Sequence, residues 1–66
     1  MKTPLLEFVK DDVIVQMYAT SEDNYVIFCN RIMPPLFIEG SYNRAQVAFY
    51  MRVLEAMKLI EYVKQA

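Results

Sequence analysis

Gly40 is the only glycine in the chain, and it separates two stretches whose apolar residues recur with different periods. Before it, apolar residues fall in short runs broken by acidic or amide pairs, and several runs alternate with period two, as half-buried strands do. After it, about twenty residues pass without proline or glycine, and apolar side chains recur three and four apart, the period of a helix. The expected fold is therefore α+β: a small antiparallel sheet of three or four strands, a β-meander, followed by one long C-terminal helix packed on it.

Residues 5–10 read as the first strand, with Leu6 and Phe8 on one face and Leu5, Glu7 and Val9 on the other. Asp11-Asp12 makes a tight turn. Residues 13–19 form the second strand, placing Val13, Val15, Met17 and Ala19 together and Ile14, Gln16 and Tyr18 opposite them. A polar loop of hairpin length follows over residues 20–24. Residues 25–30, rich in β-branched and aromatic side chains, are the third strand. Pro34-Pro35 cannot donate backbone hydrogen bonds and forbids a helix there. Residues 36–39 would be a fourth strand, which the prolines confine to a sheet edge. The stretch around Met33, Leu36 and Phe37 then reads as a loop too apolar for free solvent, packed over the core or against a partner.

The helix is expected over residues 43–64, capped by Ser41 or Asn43. On a wheel of 100° per residue, Arg44, Arg52, Glu55 and Lys58 share a solvated sector. Phe49, Val53, Ala56, Ile60 and Val63 form one apolar stripe, and Val47, Tyr50, Leu54 and Met57 form a second beside it, ending at Glu61. Together they span about 200°, whereas packing on one surface needs little more than about 100°. Such a helix is expected to touch two things: its own sheet, and a second copy or a partner protein.

Composition sharpens that expectation. A chain of 66 residues makes one domain, and a domain of that size buries only about 60% of the surface its unfolded chain exposes. With one cysteine and no histidine, it can form no internal disulfide and no four-ligand zinc site. Hydrophobic residues nevertheless make up 56% of it, which favours a homodimer as the way to cover them.

The catalytic inventory is thin. Without histidine, every triad or dyad that uses imidazole as base is absent. Cys29 lies in an apolar run and reads as a buried, inert thiol. Asp11-Asp12 and Glu22-Asp23 fall in turns, and residues 21–24 lack the spacing of a calcium loop. One glycine cannot build a phosphate-cradling loop. No catalytic residue, cofactor or metal is expected. Tyr18, Tyr25 and Phe28 could stack bases, but the net charge of −1 and the scattered Lys/Arg argue against nucleic acid. No run is long enough to span a membrane, and residues 4–9 are too short for a signal peptide. A free thiol then points to the cytoplasm.

The expected function is a non-catalytic protein-interaction module, a homodimer acting as inhibitor or modulator of a larger protein, as small phage- or plasmid-encoded modulators do. Its partner or dimer interface would comprise Val47, Tyr50, Leu54 and Met57 on the helix and Met33, Leu36 and Phe37 ahead of it. The alternative is a small ligand-binding or enzymatic domain. Its pocket would lie between sheet and helix or across a dimer, with Tyr18, Tyr50 and Tyr62 as polar handles and Glu7 or Glu39 as the charge.

Overall fold

The structure, a computed structural model, describes residues 3–65, with side-chain surroundings for residues 3–58. Four antiparallel strands, β1 (Leu6–Lys10), β2 (Val13–Ser21), β3 (Asn24–Cys29) and β4 (Ile32–Glu39), form one sheet in the order β1-β2-β3-β4. The helix α1 (Tyr42–Gln65) follows and packs across all four strands, most closely on β2. The fold is α+β, a β-meander with one C-terminal helix on it.

Each connection has a local cause. Asp11 and Asp23 adopt φ of 54° and 59°, a left-handed conformation that Asp tolerates better than most residues. The segment expected as a loop over residues 20–24 is instead strand on both sides of a two-residue turn, Glu22-Asp23, with a β-bulge between Ala19 and Ser21. Asn30 ties the opposite end of the sheet. Its side chain accepts from the Ile14 amide at 3.0 Å and donates to the Asp12 carbonyl at 2.6 Å, while Arg31 reaches Asp12 at 3.5 Å. The first and third turns are thereby held together.

The prolines fall within a strand, not in a loop before one. β4 begins at Ile32, contains Pro34 and Pro35, and occupies the sheet edge, where an imino nitrogen removes no ladder bond. Cys29 pairs with Ile32 and Ile27 with Leu36, so β4 carries two more residues than β3 across that interval. Because the excess is two residues, the alternation of faces is kept, and Ile32, Leu36 and Ile38 all pack against the core.

The core lies between sheet and helix. Val13, Val15 and Met17 of β2, Ile27 and Cys29 of β3, and Ala45, Phe49 and Ala56 of α1 are buried together, flanked by half-buried Leu6 and Phe8. Two alanines beside one phenylalanine let the helix lie close to the strands while a single ring fills the gap. The N-cap is Ser41, whose Oγ accepts from the Arg44 amide at 3.2 Å; Asn43 already lies inside the helix. Gly40, at φ 134°, makes the turn from β4 into that cap, a conformation L side chains rarely adopt.

One helix residue departs from its expected setting. Arg52, placed by the wheel in the solvated sector, has only 15% of its side chain exposed and donates to Glu55 Oε2 at 3.1 Å. Ala48 and Ala56 stand one turn to either side, and the small side chains leave room for the arginine stem to lie along the helix. The expected contacts of Ile60, Glu61, Tyr62 and Val63 lie outside the described side chains.

Candidate functional site

The helix buries one sector on the sheet and leaves another bare. Val47, Tyr50, Met51 and Leu54 are each between 53% and 61% exposed. Their spacing i, i+3, i+4, i+7 sets them in one stripe along the axis. Arg44 lies one turn before the stripe and Lys58 one turn after it, both exposed. Met57, expected in this stripe, is half-buried at its margin. The stripe gains Met51 instead. Its place on the wheel beside Arg44 disguised it, although its spacing from Val47 and Leu54 would have revealed it.

The second bare region is the sheet face turned away from the helix. Side chains alternate across a strand, so residues opposite the core positions share this face. The register sets Val9 against Ile14, Glu7 against Gln16 and Phe28, and Tyr18 against Val26 and Phe37. Val9, Ile14, Phe28 and Phe37 are exposed, Phe37 at 71%. Yet Val26 between them is only 5% exposed. Its cross-strand neighbours are the aromatic rings of Tyr18 and Phe37, and Tyr18 meets Phe28 edge-to-face at 5.9 Å. A polar row crosses the same face. Tyr18 Oη donates to Gln16 Oε1 at 3.2 Å, and Gln16 Nε2 donates to Glu7 Oε2 at 2.6 Å.

The expected interface residues therefore divide. Val47, Tyr50 and Leu54 stand together on the helix stripe. Phe37 stands on the far side of the sheet, and Met33, also exposed, lies on edge strand β4. Leu36, one residue from Phe37 and two from Ile38, points the other way and packs on the core opposite Ile27. No single segment reveals the sheet face as a surface, although Val9, Ile14, Val26 and Phe28, apolar at positions opposite the core residues, are its signal.

Among the described residues no three Cys, Asp or Glu side chains gather as a metal site would require, and no buried side-chain polar atom lacks a partner. Cys29 is buried, with Sγ accepting from the Arg31 amide at 3.4 Å. A depression of about 230 Å³, lined by Thr20, Asn24, Tyr25, Phe37, Ile38 and Glu39, opens at the Asp23 end of the sheet. It is smaller than the roughly 300–1,000 Å³ typical of small-molecule sites. Of the groups expected in a ligand pocket, Glu39 alone lines it, and Glu7, Tyr18 and Tyr50 do not. Among the described residues no helix is long and apolar enough to cross a membrane. Comparison with protein-family models, with curated proteins and with solved structures finds no match to this chain.

Proposed function

We propose that this chain is a non-catalytic protein-interaction module that self-associates and docks on a larger protein, acting as its inhibitor or modulator. The observation that carries this reading is a pair of bare apolar faces on opposite sides of one small domain: the Val47–Leu54 stripe, and the sheet face bearing Phe28 and Phe37. Large exposed apolar patches on a monomer often mark binding sites, and here two apolar surfaces point away from each other. Tyr50 and Met51 on the helix and Phe28 and Phe37 on the sheet are of the residue types enriched where proteins meet. With one surface used for self-association, the other remains to meet a target. A lone buried thiol fits a reducing cytoplasm, and we place the chain there.

The test is crosslinking in extract of the native cell, with the wild-type chain compared with Phe37→Asp and Leu54→Glu and oligomeric state followed by light scattering. A target protein captured in stoichiometric amount by the wild type, and lost with one of the two substitutions, is the expected result. Capture and oligomeric state both unmoved by either change would overturn the reading.

A further inference from the structure

We infer that the depression at the Asp23 end of the sheet is the anchor point of the docking face, and that it takes one arginine side chain of the target protein. This deepens the proposed function and rests on its premise that the sheet face meets a target.

The register builds the depression. Glu39 of β4 stands directly opposite Asn24 of β3, and facing residues of an antiparallel pair share one side of the sheet at about 5 Å. Phe37, two residues before Glu39, shares that side and is 71% exposed. Thr20 lies within the bulge of β2. All of these line the depression, whose volume is about 230 Å³. That falls below the range of small-molecule sites but leaves room for one long side chain.

The polar groups here accept hydrogen bonds more than they donate. Asn24 spends both amide hydrogens on its own turn: Nδ2 donates to Ser21 Oγ at 2.9 Å and to the Glu22 carbonyl at 3.1 Å. What Asn24 has left is the acceptor Oδ1. Glu39 is exposed and makes no ion pair among the described residues, and an ionised carboxylate offers acceptors alone. Such a lining suits a cation rich in donors. Arginine fits it better than lysine, because five N–H groups in a planar fork reach acceptors on β3 and β4 together. The same plane stacks on an aromatic ring such as Phe37. A nucleic acid would instead bring phosphates against Glu39 and against Glu22 and Asp23 in the adjoining turn.

The chain's own arginines do not supply the occupant. Arg31 pairs with Asp12, and Arg52 with Glu55. Arg44 shares this end of the molecule but stands on α1, on the other side of the sheet. Its Nη1 and Nε lie 3.8 and 3.9 Å from the position that a Cβ on Gly40 would take, and it makes no ion pair among the described residues. Arg44 of a second copy would reach the depression only by setting its helix side against the first copy's outer face. Such a contact is heterologous, and unless its rotation closes a ring it grows into a fibre. An arginine on a different protein carries no such requirement.

Amide spectra of the isotope-labelled full chain, titrated with N-acetyl-phenylalanyl-arginine amide, test the anchor. The dipeptide should move the amides of Thr20, Asn24, Phe37 and Glu39 saturably, in the millimolar range. The same dipeptide with citrulline, the neutral isostere of arginine, should bind about threefold to fivefold more weakly. Glu39→Gln should weaken the arginine dipeptide by about the same factor and leave the citrulline one unchanged, an effect that a merely structural role would not produce. Glu22→Gln, in the turn, should change it by less than about twofold. Raising sodium chloride to about 0.5 M should narrow the gap between the two dipeptides. The anchor is overturned if no saturable shift appears at these residues, if citrulline binds as well as arginine, or if Glu39→Gln changes nothing. The docking reading fails separately. A target captured from extract, lost with Phe37→Asp and fully retained with Glu39→Gln, leaves that reading standing and overturns the arginine anchor. Arginine-selective binding in the depression with no target captured upholds the cation site and removes the docking reading.

Discussion

The two faces of the sheet are both apolar, but they are covered in different ways. The inner face is covered by another element: α1 lays Ala45, Phe49 and Ala56 over Val13, Val15, Met17 and Ile27. The outer face has no covering element and shelters itself. Val26 is 5% exposed there because the strands on either side of it bring Tyr18 and Phe37 into its row. Inner burial therefore depends on the helix staying in place, and outer burial on large side chains standing on neighbouring strands. Of the rings on that face, Phe28 and Phe37 remain exposed to solvent.

The largest expected effect comes from removing the inner cover. Phe49→Ala removes the largest buried side chain of the helix among the described residues, and should cost about 3–5 kcal/mol in urea unfolding. For so small a domain that is a large share of total stability. A loss under about 1.5 kcal/mol would mean that the helix is held mainly by other contacts, and the contrast between the faces would fail. A closer comparison uses the same residue on each side. Val15→Ala, under the helix, should cost about 2–3 kcal/mol. Val26→Ala, under the rings, should cost about 1 kcal/mol, because exposed aromatics can settle into the space left. Equal losses would show that the outer face is packed as tightly as the core. Association changes apparent stability, so the variants are compared at one protein concentration.

The two faces also differ in how much of them the sequence shows. In β2 the alternation of Val13, Val15 and Met17 with Ile14, Gln16 and Tyr18 identifies the inner face unaided, because a polar residue interrupts the other face. In β4 Leu36 and Ile38 alternate with Phe37, but the two residues added around Pro34-Pro35 set Leu36, not Pro34, opposite Ile27, a pairing that no single segment shows. The outer face is hidden in the sequence for a different reason. It exists only once the register sets Tyr18, Val26 and Phe37 in one row, and pairing across strands is not a property of any single segment. On the helix, Val47, Tyr50 and Leu54 follow from periodicity alone. The burial of Arg52 does not, since it depends on the alanines one turn away being small.

A smaller effect tests the helix as the inner face's cover. Ser41→Ala removes the oxygen that satisfies the Arg44 amide, and should cost about 1 kcal/mol. The loss should appear as faster amide exchange in the first turn, over the end of the sheet where Tyr42 meets Tyr25 at 6.1 Å, with β1 to β3 little changed. If exchange rises equally in every strand, the sheet has no stability apart from its helix, and the two faces cannot be perturbed independently.

The smallest expected effect decides what the outer face is for. Phe37→Thr places a residue of good strand propensity in edge strand β4 and removes the most exposed ring of the Val26 row. A side chain 71% open to water has little burial to lose, so the urea midpoint should shift by no more than about 0.5 kcal/mol. Binding to the target should nevertheless weaken at least tenfold, since central aromatic contacts carry much of the energy of an interface. The two readouts separate the alternatives. A stability loss above about 1.5 kcal/mol would assign the ring to the fold, as the lid over Val26. A silent result in both would leave the outer apolar row without a role in binding and confine the contacts of this protein to its helix.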